Sequence, residues 1–251
     1  MPIIYSYHKD LDVEGYLDAY PTLRKAKIIH NVLSKREGVT LLEPTTLTRA
    51  DYQLAHTAKY LDDLDNKKVT NGFGNYDYNI LKQARRAAGC TVAAAKYAFE
   101  HKVNTFALTS GAHHAREDKA NGYCTINNIV IAAILSGATR VLIIDADQHE
   151  GDGIIQIVNK RKLHSLIDYH HARTPKEIAA IDTTGVDLII FNDGQDAAFD
   201  DCGSVSERDL IQRVLVVRGL DIPTVTCLAG GYNDIPTIVD RHLRTISLLE
   251  R

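Results

Sequence analysis

The chain has 251 residues, enough for one large α/β domain over residues 1–251, and no second domain is forced. Hydrophobic residues make up 45% and charged residues 24%, with a formal net charge of -3 and no block of like charge. These are values for a soluble globular protein, and they exclude a basic surface for nucleic acid. No apolar run approaches the ~20 residues that span a bilayer, so no membrane partner is expected. The opening residues lack a basic segment followed by an apolar stretch, so no signal peptide is expected. Cys90, Cys124, Cys202 and Cys227 form no C-x-x-C spacing. Reduced thiols and a cytoplasmic location are therefore the expectation.

In chain order, Ile3–Tyr7 reads as a first strand and Leu23–Ser34 as a helix. Ile80–Phe99 carries Ile80, Ala84, Ala87, Thr91, Ala94 and Ala98 on one helical face. Strands are then expected at Thr105–Thr109, Val141–Asp145, Leu163–Ile167 and Leu188–Asn192. Ser206 and Asp209 form a capping signature ahead of the helical run Leu210–Val217. A last strand is expected at Thr224–Leu228. Most of these strands are continuously apolar, as parallel strands covered on both faces are. The predicted fold is α/β, a three-layer domain around a mainly parallel central sheet.

Ligands in such sheets bind beyond the carboxyl ends of the strands. Polar residues cluster at five such ends, including Gly111-Ala112-His113-His114, Asp145 to His149, and Asp168-Tyr169-His170-His171. Asn192 to Asp196 and Ala229-Gly230-Gly231-Tyr232 complete the set. Asp147 and His149 are two apart and point the same way on an extended segment. With Asp196 they offer two oxygens and one nitrogen, an open set suited to a catalytic divalent ion. Read alone, Asp147 and His149 are better explained as a buried hydrogen-bonded pair, because so short a pattern is common by chance. Beside a metal, one of His113 and His114 can take a proton from water while the other holds or donates one. Asp145 and Asp152 are candidates to orient the two imidazoles. Two glycines let the backbone at Tyr232 approach a pocket, where its phenol can stabilise an oxyanion.

Together these segments resemble the zinc-dependent histone deacetylase family, which includes acetoin-utilisation proteins and acetylpolyamine amidohydrolases. The resemblance runs from Tyr5 through His8 to Ala229-Gly230-Gly231-Tyr232. It is densest at Gly111–Ala115, Asn121–Cys124 with Asn127, and Asp145–Gly153. It implies an arginase-deacetylase fold and removal of an acyl group from an amine or acyl-lysine. It implies Zn2+ on Asp147, His149 and Asp196, with Fe2+ or Co2+ as alternatives at the same O/N site. His114 then resembles the general base and His113 its electrostatic partner, backed by Asp152 and Asp145 respectively. Tyr232 would polarise the acyl carbonyl, and Gly122 and Tyr123 would line the substrate channel. The resemblance also implies a K+ site using backbone oxygens of Asp145, Asp147, His149 and Tyr169, with the side chains of Asp145 and Asp168. A homo-oligomer stays open.

The sequence departs from the family pattern at Glu150, Tyr123, Asp168 and Gln195. The stretch between His170 and Asp196 is short where relatives carry a long loop with a second channel aromatic. Asn71-Gly72-Phe73-Gly74-Asn75 stands where relatives supply an acidic substrate-binding residue. A non-catalytic acyl-ligand binder is the first alternative. A two-metal arginase-like ureohydrolase is the second, opposed by Ala198 where another carboxylate would be needed.

Overall fold

Apolar runs that are too short for helices become the strands of one sheet. They are β1 (Ile3–Ser6), β2 (Val39–Leu42), β3 (Thr105–Ala107), β4 (Val141–Asp145), β5 (Ile167–His171), β6 (Leu188–Asp193) and β7 (Thr224–Leu228). In this computed structural model residues 2–13, 16 and 20–250 are described, and residues 1, 14, 15, 17–19 and 251 of the expected domain lie outside the described residues. The order is β2-β1-β3-β7-β6-β4-β5, and every strand pairing among the described residues is parallel. The helices are α1 (Lys25–Leu33), α2 (Arg49–Gln53), α3 (Ala58–Asp65), α4 (Tyr78–His101), α5 (Asn128–Leu135), α6 (Asp152–Arg161), α7 (Pro175–Ala179), α8 (Glu207–Gly219) and α9 (Ile235–Leu249).

Alternation along the buried strands separates two cores. Ile143, Ile190 and Val225 face one cluster with Val92, Ile129 and Ile157 of α4, α5 and α6. Leu142, Ile144, Ile189 and Phe191 face the other, with Ile29, Val214 and Ile246 of α1, α8 and α9. This is the expected three-layer α/β fold. Ser206 caps α8 by accepting the Asp209 N–H at 3.1 Å, as its sequence signature predicts. No helix among the described residues is long and apolar enough to cross a membrane.

One strand differs from its expected position. The apolar run Leu163–Ile167 reads as a strand, but β5 begins only at Ile167. The end of α6 passes into the left-handed region at Lys162, φ 56°. The Leu163 N–H then returns to Val158 O at 2.9 Å, and the Ile167 N–H bonds Leu163 O at 2.8 Å. Leu163 and Leu166 pack on the core as a plug beneath the helix. Asp168, Tyr169, His170 and His171 consequently lie within β5 rather than after it, with Asp145 opposite His171.

Parallel register aligns the carboxyl ends of three central strands. Asp145 stands opposite Asn192, and Asp193 opposite Leu228. Ile190 is fully buried at the middle of this arrangement. Its replacement by Ala should lower stability by about 2–5 kcal/mol, read by urea unfolding.

Candidate active site

The ends of β4 and β6 bring three ligand-type side chains together, with the end of β7 packed against them. His149 Nδ1 lies 3.3 Å from Asp147 Oδ1 and 3.2 Å from Asp196 Oδ2. Ligand atoms of all three lie within 4.8 Å of one another. A tetrahedral ion with bonds of roughly 2.0 Å has ligand–ligand edges of roughly 3.3 Å, so the spacing fits a divalent cation. Asp196 Oδ2 is buried and accepts no hydrogen bond among the described residues. Backbone donors fix the other oxygens: Gly230 N–H to Asp147 Oδ2 at 2.8 Å, His149 N–H to Asp147 Oδ1 at 3.0 Å, and Gln148 N–H to Asp196 Oδ1 at 3.0 Å. Burial and the neighbouring Asp147 push the Asp196 carboxyl up. An oxygen without a donor and a carboxylate pair resisting double charge are what a cation would relieve.

The two histidines lie beside this cage, their rings 4.1 Å apart. His113 Nδ1 bonds Asp145 Oδ2 at 2.8 Å, while its Nε2 stands 3.8 Å from Asp147 Oδ1. Burial opposes charge on this imidazole, but Asp145, Asp147 and Asp196 outweigh it and raise the pKa to about 9. His114 Nδ1 bonds Asp152 Oδ1 at 2.6 Å, and Arg116 donates to Asp152 Oδ2 at 2.6 and 3.1 Å. Burial and the adjacent His113 lower the pKa of His114. One ring is thus held toward the cation and the other toward the neutral base. Asp145 is held in turn by Asn192 at 2.8 Å and by the Tyr169 hydroxyl at 3.1 Å.

Glycines permit the close packing at the rim. A Cβ on Gly230 would stand 2.5 Å from the Asp196 carboxyl carbon, and one on Gly122 would stand 2.5 Å from the His114 ring. Tyr232 follows Gly230-Gly231 and is half exposed. Burial, then Asp147 and Asp196, raise its phenol above the ordinary range. Gly122, Tyr123 and Tyr232 line the same cavity as His113, His114 and Asp147.

The remaining residues singled out in the sequence are placed differently. The Asp168 carboxylate meets Arg140 at 3.3 Å and His170 at 3.1 Å. The backbone oxygen of Asp145 accepts the Ala172 N–H at 2.9 Å, and that of Asp147 accepts His171 Nε2 at 2.9 Å. The structure therefore does not bring the Asp168 side chain to Asp145. Glu150 is exposed. Gln195 is buried and donates to Asp193 Oδ2 at 2.7 Å.

Several residues escaped sequence reading. Tyr20 and Phe73 pack edge-on or tilted against Tyr123, with ring centroids 5.3 Å from it and 5.0 Å from each other. They form an aromatic lip where the sequence left the second channel aromatic unplaced. Arg213 of α8 is fully buried. It donates to Asp193 Oδ1 at 2.7 Å, Gly194 O at 2.8 Å and Ala146 O at 3.2 Å. It thus ties together the two segments that carry Asp147 and Asp196. Burial pushes the Asp193 carboxyl up, yet Arg213 and His242 hold it below the usual range. Its signal was legible, since Arg213 shares the apolar helical face of Leu210, Val214 and Val217.

A profile described as "Histone deacetylase domain" matches residues 19–185. The chain belongs to the histone deacetylase family. The match includes His113, His114, Asp147 and His149 and ends before Asp196 and Tyr232. A "Putative histone deacetylase 2" of Caenorhabditis elegans is 27% identical over 191 residues, 67% of this chain and 38% of that protein. A "Probable deacetylase" of Archaeoglobus fulgidus is 32% identical over 130 residues, 48% of this chain and 36% of that protein. The chain thus spans well under half the length of these curated relatives. The solved HDA15 HD domain shares the fold with a TM-score of 0.80 at 20% identity, covering 99% of this chain and 89% of that one.

Within this deacetylase-family site, Arg213→Met should lower the stability of metal-free protein by about 3–5 kcal/mol, because it leaves Asp193 charged and buried without its partner. Urea unfolding measures the loss; a change below about 1 kcal/mol would show that Arg213 does not clamp the site.

Proposed function

We propose that this chain is a metal-dependent amidohydrolase removing acetyl or related acyl groups from an amine, such as acyl-lysine or an acylpolyamine. The observation that carries the reading is the open cage of Asp147, His149 and Asp196 beside two histidines that each have a carboxylate behind them. The ligand set of two oxygens and one nitrogen suits Zn2+, with Fe2+ or Co2+ as alternatives. When bound, such an ion supplies Lewis-acid polarisation and a more acidic water.

The side chains of this chain then have distinct tasks. His114, oriented at Nδ1 by the Asp152–Arg116 pair, accepts the proton of the attacking water at Nε2. His113, anchored at Nδ1 by Asp145, keeps positive charge beside the developing oxyanion. Tyr232 donates its hydroxyl proton in a hydrogen bond to the acyl oxygen as charge accumulates there. A histidine proton then passes to the departing amine, which leaves in its protonated form. The aromatic lip excludes water from the flanks of the amine's apolar stem.

Tyr232→Phe should reduce turnover on an acyl-amine on the order of a hundredfold, with the fold intact by circular dichroism. Near-normal turnover would remove Tyr232 from the mechanism. A chelator should abolish activity, and metal analysis should find one tightly bound transition ion per chain. Two such ions would instead favour the ureohydrolase reading, although Ala198 is an apolar, buried residue in the present site.

A further inference from the structure

Tyr232 stands on a stretch of backbone that side-chain packing does little to hold. Gly230 and Gly231 before it have no side chain to pack and widen the conformations open to the chain. The Tyr232 side chain is itself 51% exposed. Hydrogen bonds to the backbone must therefore fix where the phenol points. They come from three directions. The Gly230 N–H donates to Asp147 Oδ2 at 2.8 Å, and the Gly230 carbonyl accepts the Gln195 N–H at 2.6 Å. From the α1 side, Lys25 Nζ donates to Ala229 O, and the Thr22 hydroxyl donates to Gly231 O at 2.6 Å. From the third direction, one carboxylate oxygen of Asp201 accepts two consecutive backbone donors. These are the Tyr232 N–H at 2.7 Å and the Asn233 N–H at 2.8 Å.

The first two sets of bonds end at Gly231, and Asp201 takes the Tyr232 N–H itself. Asp201 lies on the loop that follows the turn Gln195–Ala197. That loop is seated on the turn, because the Cys202 N–H donates to Asp196 O at 3.1 Å and the Val205 N–H to Ala197 O at 2.8 Å. The carboxylate is thus anchored next to the backbone of Asp196 and reaches across to the backbone of Tyr232. A part in starting α9 does not account for it. Asp234 caps that helix by accepting the Thr237 N–H at 3.0 Å.

We propose that Asp201 is a positioning residue for the reaction, aiming the Tyr232 hydroxyl at the acyl oxygen by clamping its backbone to the Asp196 segment. The proposal rests on the hydrolase reading above and adds a residue that acts through Tyr232 without touching substrate. A misplacement of about 1 Å in such a group costs on the order of a hundredfold in rate. The Tyr232 hydrogen bond strengthens as charge builds on the acyl oxygen, so its misplacement falls on kcat more than on KM.

The test uses the full chain loaded with Zn2+ and an acetyl-lysine peptide. Asp201→Ala removes the acceptor and should lower kcat at least about tenfold, with KM within about threefold of the parent. Asp201→Asn keeps an acceptor oxygen and should restore kcat to within about threefold. In a Tyr232→Phe background, Asp201→Ala should cost less than about twofold more, because both changes disable the same hydrogen bond. A merely structural role predicts equal losses in both backgrounds, and equal losses overturn the proposal. Loss of bound metal from Asp201→Ala also overturns it, since Asp201 would then act on the cage. Amide hydrogen exchange of the metal-free protein gives a readout independent of turnover. Exchange at Tyr232 and Asn233 should be at least about tenfold faster in Asp201→Ala, and unchanged exchange overturns the clamp. If the parent turns over no acyl-amine, the hydrolase reading fails, and exchange alone decides whether Asp201 holds the turn.

Discussion

Four buried carboxylates at the ends of two neighbouring strands are the constraint on which this structure turns. Asp145 and Asp147 leave β4, while Asp193 and Asp196 leave β6, and each is 3% exposed or less. So much like charge in a dry interior is tolerated only when each group is paired or hydrogen-bonded. Asp145 is answered by His113, Asn192 and Tyr169, and Asp193 by Arg213, Gln195 and Thr245. Asp147 and Asp196 take backbone N–H groups and His149, which leaves Asp196 Oδ2 without a donor. The incomplete compensation falls where three ligand-type groups meet, as expected if a cation completes it.

The same crowding explains the backbone. A carboxylate pair can be this enclosed only if the β7 end lies against it without side chains, which Gly230 allows. Arg213 acts from the opposite side. One guanidinium bonds the backbone between Asp145 and Asp147 and the backbone that follows Asp193, so the segments that carry Asp147 and Asp196 are tied to each other. Planar, permanently charged and rich in donors, arginine suits this position where lysine would satisfy fewer acceptors. Charge balance and cage geometry therefore have a shared origin in α8.

Around this rigid centre, the walls have a simpler character. The lip is aromatic and half exposed, and the interior is aliphatic and buried. The polar cluster of carboxylates and histidines lies between these two apolar zones.

The α/β class, most of the strand positions and the gathering of Asp147, His149 and Asp196 at one place were legible in the sequence. Those features rest on local patterns: apolar runs ended by glycine and acid, a capping serine, and short motifs such as Gly111-Ala112-His113-His114. Tertiary structure alone decided the rest. The β5 start moved because a left-handed turn at Lys162 made two leucines a plug, and apolar character does not distinguish a plug from a strand. Tyr20, Phe73 and Tyr123 come from three separate stretches, so their packing has no sequence spacing to reveal it. Asp168 lies on the opposite side of β5 from the residue that reaches Asp145, a matter of register that a one-residue slip would reverse. Chemistry carried by adjacent residues was legible, while the partners that hold it and the space around it depend on long-range packing.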